Sequence, residues 1–357
     1  MSNRSEKIKP DRPEPVRLST EAFSVSKQSD HRDAAQKLQN GEYGVVEDRF
    51  STGMAVLSEL KKCIFRGKNK QDFAAYRDVR SLFYHASNRL LVPVENNQIA
   101  LKKSPEIGWL KELYPDIETF MLTFPQIQGL NSSWQWHLRG IEYPGLKERI
   151  HPFYGTYFPT RFDHLRLFYN WLRQYSGKKT EAIDVGTGCG VLAFQMLNCG
   201  FENVAATDIN PNAIISVKQH AEKTGLSDRI DSKLSDLFEA HNQKADLVVF
   251  NPPWLPAQKD TEGLDGAIYY EPDLFERFFS DVRNRLKEGG RVVILFSNLA
   301  ESVGISDEHP VKKELQYGGR FNKIGVQKRK VVKASKKTKR RDHRKREFVE
   351  LWELEPA

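Results

Sequence analysis

Residues 182–190 read Ala182-Ile183-Asp184-Val185-Gly186-Thr187-Gly188-Cys189-Gly190, and the rest of the chain is organised around them. An apolar run ends in an acid, and three glycines follow at every second position. Val191-Leu192-Ala193-Phe194 can then open a helix. This is the pattern of a strand that turns sharply into a helix around a ligand. Glycine tolerates positive φ and lets backbone approach a ligand without an intervening Cβ. The N-terminus of the following helix carries unpaired N–H groups and a partial positive charge, which favour an anionic group.

Outward from the turn, the elements alternate. Strand 182–186 leads to helix 190–198. Strand 203–209 leads to helix 211–223, with Pro211 in its first turn. Strand 230–235 is followed by Asp236, strand 245–250 runs into Asn251-Pro252-Pro253-Trp254, and helix 272–287 leads to strand 291–297. Apolar strands alternating with helices imply a parallel sheet covered on both faces. Before the turn, Phe162, Leu165, Phe168, Tyr169 and Leu172 form a helical stripe after Pro159, with Asp163 near the helix start, where an acid is favourable. After the sheet, two extended stretches at about 323–333 and 347–354 are expected to form an antiparallel hairpin at its edge.

The 357 residues suffice for one large domain or two ordinary ones. A hydrophobic content of 39% suits a soluble globular protein, and the mean hydropathy of −0.60 leaves some segments outside any core. No apolar run approaches the roughly 20 residues that span a bilayer. The opening MSNRSEKIKPDRPEP lacks the apolar stretch of a secretory signal. Cys63, Cys189 and Cys199 are odd in number and have no metal-like spacing, so no metal is expected and the thiols read as reduced and cytoplasmic.

The net charge of +8 is concentrated. Residues 327–346, QKRKVVKASKKTKRRDHRKR, hold twelve Lys or Arg and one acid, for a local charge of +11, and leave the other 337 residues at −3. This basic insertion is expected at the tip of the hairpin. It suits a polyanion, RNA or the ribosome, bound by counterion release.

Residues 1–30 are polar and Pro/Ser-rich and read as disordered or extended. Residues 31–150 read as a mainly helical accessory domain. Met54, Leu57, Leu60, Ile64 and Phe65 mark one amphipathic helix and Phe73, Tyr76, Val79, Leu82 and Phe83 a second, joined near Gly67-Lys68-Asn69. Val92 to Leu101 looks like a turn between short extended pieces, and Ser133 to Leu138 alternates enough for a short strand. His137 and His151 sit among aromatics and read as packing residues. Residues 151–357 form the catalytic-type α/β domain.

In an open α/β sheet, ligands bind outside the carboxyl ends of the strands. Four polar features fall at successive strand ends: Asp184 with its glycines, Asp208, Asp236 and Asn251. Asp208 is placed to accept from ribose hydroxyls, although it also reads as a helix cap before Pro211. Asp236 could accept from an adenine amino group. The glycine spacing is G-x-G-x-G, whereas dinucleotide sites carry the third glycine where Val191 stands.

With Asp184 two residues ahead, the glycine run resembles motif I of class I S-adenosylmethionine (SAM) methyltransferases. Asn251-Pro252-Pro253-Trp254 resembles the NPP[YFW] motif of their amino-methyltransferase group. That group includes adenine methylases, small-domain RNA methylases and glutamine methyltransferases of release factors and ribosomal proteins. Phe158-Pro159-Thr160-Arg161 is similar to the segment that closes over SAM in the group.

The resemblance covers about 153–300. It implies a Rossmann-like fold, with mostly parallel sheet and a C-terminal antiparallel hairpin, and SAM as cofactor. Asp184, Gly186, Gly188 and Gly190 would hold its methionyl part, Asp208 the ribose and Asp236 the adenine, with Phe158, Thr160 and Asn251 also beside it. Asn251, Pro252, Pro253 and Trp254 would hold the acceptor nitrogen.

The chemistry explains the motif. Adenine amines and glutamine amides are planar NH₂ groups with delocalised lone pairs. The Asn251 side-chain oxygen and the Pro252 carbonyl can each accept one N–H, which releases the lone pair toward the methyl carbon. Paired prolines make a stiff, acceptor-lined turn, and Trp254 can stack on a planar group. Alignment then does most of the catalysis. The first expected substrate is an RNA amine, docked by the basic hairpin and favoured by the wide Trp254. The alternative is a protein glutamine. A third reading is a catalytically silent SAM-fold or NAD-binding module that binds RNA.

Overall fold

In the computed structural model, which describes residues 8–19, 21–67, 73–257, 268–302, 304–331 and 347–357, the strand entering the glycine turn is an interior strand of a seven-stranded sheet, next to the central one. The chain divides into two units, first Asp11–Leu138 and second Arg139–Ala357 together with Met1–Pro10, and that sheet belongs to the second.

The first unit is built from β1 (Phe23–Val25), α1 (His31–Asn40), β2 (Gly44–Val46), α2 (Phe50–Phe65), α3 (Phe73–Ser87), β3 (Leu90–Glu95), β4 (Gln98–Ile99), α4 (Trp109–Leu113), β5 (Thr119–Thr123) and α5 (Phe124–Arg139). Its five strands make one sheet, in which β1, β2 and β3 run parallel and β4 and β5 pair antiparallel with β3. This unit is mainly helical, as expected, but it also carries a sheet, whose strands are only two to six residues long and too short to leave a clear period-2 signal.

The two expected helices appear as α2 and α3. In α2 the buried side is Gly53, Val56, Leu57, Leu60 and Ile64, while Met54 faces outward. The turn read between Val92 and Leu101 is the β3–β4 hairpin, with Asn96 and Asn97 both at positive φ (48° and 61°), as its tight two-residue connection requires.

One expectation is narrowed and one corrected here. Of the segment read as disordered or extended, the described residues 8–19 and 21–30 take the extended alternative: Val16 donates its N–H to Met121 C=O at 2.8 Å, the Tyr114 hydroxyl donates to Pro13 C=O at 2.6 Å, and Phe23 begins a strand. A proline-rich segment is low in apolar residues, but its extended backbone still carries hydrogen-bonding groups that a sheet can satisfy. Ser133–Leu138 is helical, not a strand. Trp134 and His137, three residues apart, stack on one helix face at 5.3 Å, and both rings meet Trp109.

The second unit contains α6 (Asp163–Gln174), β6 (Glu181–Val185), α7 (Val191–Asn198), β7 (Asn203–Asp208), α8 (Pro211–Thr224), β8 (Ile230–Leu234), β9 (Ala245–Phe250), β10 (Leu255–Pro256), β11 (Tyr269–Tyr270), α9 (Leu274–Val282), β12 (Leu286–Ser297), β13 (Phe321–Lys330) and β14 (Phe348–Pro356). The sheet order is β13-β14-β12-β9-β6-β7-β8. The five strands β12, β9, β6, β7 and β8 are parallel, and β14 pairs antiparallel with both β12 and β13. The edge hairpin therefore forms as expected. Its basic run is described only at residues 327–331, and 332–346 lie outside the described residues.

β9 is buried along its whole length, which is why its sequence, ADLVVF, is nearly all apolar. On one side of the sheet, Phe250, Phe275, Phe278 and Phe279 form a stacked core under β9 and β12.

The chain leaves β6 for β7 and β8 on one side, then crosses back to β9 on the other. That reversal is the switch point where α/β sheets bind ligands. Register fixes what meets there. Thr207, Val185, Phe250, Ile294, Trp352 and Val326 form one row across six strands. The residues one step further, Asp208, Gly186 and Asn251, leave the sheet together at its carboxyl edge.

Candidate active site

Gly186, Gly188 and Gly190 all have positive φ (65°, 53° and 85°). At Gly188 a Cβ would also lie 2.9 Å from the Tyr157 carbonyl oxygen, so sterics and backbone conformation both demand glycine. Gly190 is the N-cap of α7. The turn is held from the strand side by Asp184. This carboxylate is fully buried, and its Oδ2 accepts from the Thr187 hydroxyl at 2.7 Å and the Ala193 N–H at 3.1 Å. Its Oδ1 is buried with no hydrogen-bond partner among the described residues. Burial pushes the acid up to about 7, against the pull of those two donors. A positively charged donor at Oδ1 would complete its hydrogen bonding and restore its charge.

Asp208 braces the turn from the neighbouring strand. Its Oδ2 accepts the Gly188 N–H at 2.8 Å and its Oδ1 the Asn210 N–H at 2.9 Å. The helix cap before Pro211 is Asn210, which accepts from the Asn212 N–H, so Asp208 is not the cap. Burial raises its pKa, while the backbone donors of Asn210, Gly188 and Ile209 oppose this. Ile209, next in sequence, is 70% exposed, and Leu234, paired with Asp208 across the strands, is 50% exposed. Two bare apolar side chains at the carboxyl edge suit a flat ring. The sequence signal was available: an aliphatic residue directly after a strand-ending acid.

Asp236 follows β8 and is half-buried, but it already has a cationic partner. Arg277 of α9 donates to its Oδ2 at 2.6 Å and also pairs with Asp273 at 2.9 Å. An adenine amino group at Asp236 would share the carboxylate with this guanidinium. Leu237, the next residue, has φ of +48°, which is strained for a leucine.

Asn251-Pro252-Pro253-Trp254 leaves β9 beside Gly186. The Asn251 Oδ1 is buried and accepts no hydrogen bond among the described residues, and the indole Nε1 of Trp254 is likewise without a partner. Buried polar groups are normally paired, and each orphan carries a desolvation cost of about 1–3 kcal/mol. An acceptor and a donor left open in one four-residue turn match an incoming NH₂ group beside its own acceptor atom.

The preceding segment is stitched to the turn through backbone. Cys189 N–H donates to Tyr157 C=O at 3.1 Å, and the Tyr143 hydroxyl donates to Pro159 C=O at 3.2 Å. Phe158 is half-buried and Thr160 exposed. The hydrogen bonds to the glycine turn run through Tyr157 rather than through either side chain. Cys189 is buried, and burial pushes its thiol up to about 12, which leaves it inert as a nucleophile. His137 packs in the Trp109 aromatic cluster. A groove of 550 Å³ lined by residues including Glu142, Tyr143, Leu146, Arg149 and Lys223 holds none of the strand-end residues.

Residues 163–305 match the family described as methyltransferase small domain. The chain is 32% identical over 166 residues to a Methanocaldococcus jannaschii protein provisionally named protein N5-glutamine methyltransferase. That alignment covers 44% of this chain and 80% of the relative. The chain belongs to the class I SAM-dependent methyltransferases. A Francisella tularensis protein named ribosomal protein uL3 glutamine methyltransferase is 31% identical over 133 residues, which are 33% of this chain and 42% of that protein. A solved structure of a ribosomal protein L11 methylase from Lactobacillus delbrueckii subsp. bulgaricus aligns at a TM-score of 0.37 and 18% identity, over 53% of this chain and 77% of that one.

As a methyltransferase, the enzyme uses SAM, which brings an electrophilic methyl group on a sulfonium, and the strand-end residues fit it. The unpartnered Asp184 Oδ1 is the kind of acceptor that its ammonium would complete, the Asp208 carboxylate suits its ribose hydroxyls, and exposed Ile209 and Leu234 suit the faces of its adenine. Family membership as an enzyme removes the silent binding-module reading.

Proposed function

We propose that this methyltransferase acts on the side-chain amide of a glutamine in a ribosome-associated protein. The observation that carries the reading is the 166-residue match to a chain named for glutamine N5 methylation, four-fifths of which is covered. The uL3 glutamine methyltransferase supports the ribosomal setting, although the present chain spans less than half of that relative. In this reading Asn251 Oδ1 and the Pro252 carbonyl accept the two amide N–H groups and hold the nitrogen toward the methyl carbon. Trp254 stacks on the amide plane, and its Nε1–H meets the amide oxygen. Asp184 and the three glycines hold the methionyl part of SAM, Asp208 the ribose, and Asp236, shared with Arg277, the adenine. Phe158 and Thr160 border the cofactor, and the enzyme works in the cytoplasm.

An exocyclic amine of RNA is the second reading, favoured by the basic run. β13 runs parallel to β12, so residues 327–330 rise past the level of Asn251 at the ligand-binding edge. The +11 segment could equally dock a protein substrate on the ribosome through ribosomal RNA. No helix among the described residues is long and apolar enough to cross a membrane.

Labelled SAM with salt-washed ribosomes, followed by nuclease or protease, separates the readings. Label released by protease and recovered as N5-methylglutamine supports the first. Label lost to nuclease alone overturns it in favour of RNA.

A further inference from the structure

His164 is the second residue of α6 and is 2% exposed. Its ring lies edge-to-face with Trp254, centroids 5.2 Å apart and planes at 88°. Its Nε2 is buried and has no hydrogen-bond partner among the described residues. A buried imidazole nitrogen without a partner is a costly choice for a core position, where leucine or phenylalanine fills the same space without desolvating a polar atom.

What the ring contacts gives the choice a use. Trp254 sits on a loop after two prolines, so its backbone is stiff but its indole needs a brace. His164 projects from a helix anchored by buried Leu165, Leu167, Phe168, Trp171 and Leu172, with Asp163 beside it 3.5 Å from Arg329. An edge-to-face pair has a defined geometry and contributes beyond its buried area. Burial holds the imidazole down at about 4, so near pH 7 it meets the indole as a neutral ring.

We infer that His164 is a positioning residue of the acceptor site: it sets the plane of the Trp254 indole, and through it the plane in which the acceptor amide or base is presented. The inference rests on the reading of Asn251 to Trp254 as the acceptor clamp. It assigns to α6 a share in acceptor alignment that the glycine and NPPW motifs do not carry.

The test is a double-mutant cycle on the full-length protein. Labelled SAM and limiting salt-washed ribosomes report kcat/KM, and SAM affinity is measured separately by calorimetry. H164A should lower kcat/KM about tenfold, within the range for coupled residues in contact, with SAM affinity changed less than twofold. H164F, which restores a ring edge, should recover most of the loss. In a W254A background H164A should cost less than twofold further. Equal losses from H164A in the presence and absence of Trp254 would overturn the inference, as would wild-type kcat/KM in H164A while N251A is inactive. Wild-type activity in N251A would remove the clamp reading itself, and this inference with it. Unchanged SAM affinity in H164A and H164F confirms that the variants are folded.

Discussion

Gly188 donates its N–H to the Asp208 carboxylate across 2.8 Å, so the glycine turn and the end of the neighbouring strand form one unit. The same glycine has φ of +53° and leaves 2.9 Å between an ideal Cβ and the Tyr157 carbonyl oxygen. G188A should therefore strain the turn and push it off both partners at once. A non-glycine residue in this backbone region costs about 1–3 kcal/mol. The expected outcome is a lower thermal midpoint and SAM affinity reduced at least tenfold. A variant that melts and binds like wild type would show that the turn has room the structure does not provide.

In its proposed cofactor-holding role, Asp184 would link SAM binding to pH. Burial places its pKa near 7 in the folded protein, against an ordinary value of 3.8. The folded state therefore holds the proton more tightly than the unfolded chain. Stability from this group is full below about pH 4 and is lost as pH rises through about 7. A ligand that brings a cationic amino group to Oδ1 favours the ionised form and expels that proton. SAM affinity should rise with pH between about 5.5 and 7.5, with proton release visible as a buffer-dependent binding enthalpy. D184N should flatten both effects and, near pH 8, raise the thermal midpoint of the free protein.

In the proposed reading Asn251 has the opposite profile: as part of the acceptor clamp it governs transfer more than cofactor affinity. Its Oδ1 is an orphan in a buried turn, an acceptor waiting for a donor. N251A should reduce kcat by about 10²–10³, the size of effect found when a single preorganised polar group is removed from an active site. SAM affinity should stay within twofold. Loss of SAM binding in parallel with kcat would move Asn251 from the acceptor to the cofactor.

The parts of this site legible in the sequence are those where local chain geometry and chemistry coincide. Three alternating glycines after Asp184 need a special backbone, and Asn251-Pro252-Pro253-Trp254 needs a stiff one, so each leaves a signature within a few residues. Strand ends follow from apolar runs, and a parallel sheet brings those ends together without any long-range knowledge. Contacts between distant elements leave no such trace. His164 meets Trp254 only because α6, packed on β12, β13 and β14, brings its first turn to the loop after β9. Arg277 reaches Asp236 across 41 positions in sequence. The first unit hid its sheet for a related reason: two- and three-residue strands gain their identity from neighbours, and the Trp134–His137 pair reads as alternation until the helix places both on one face.

Glu350 makes a prediction at the base of the basic hairpin. It is 2% exposed on β14, with His309 Nε2 at 2.8 Å, Lys328 Nζ at 2.7 Å and Trp352 Nε1 at 2.9 Å. Burial alone would raise its pKa, but the hydrogen bonds from His309, Lys328 and Trp352 outweigh this and hold it near 2. Its stabilising contribution is thus present above the ordinary value of 4.5 and is lost as pH falls toward 2. E350Q keeps the shape but removes the anion that accepts from Lys328, His309 and Trp352; with Lys328 half exposed, the loss is about 1–3 kcal/mol, the size for a charge-assisted hydrogen bond left unmade. Denaturant unfolding at pH 7 should show a loss of that order, and the gap to wild type should close as pH is lowered from about 4.5 to 2. Because Lys328 opens the basic run, E350Q should also loosen the start of the hairpin, seen as faster amide exchange at residues 326–330 and 348–351. A pH-independent gap, or unchanged exchange, would mean that packing of the surrounding aromatics, rather than the buried charge, fixes the hairpin to the sheet.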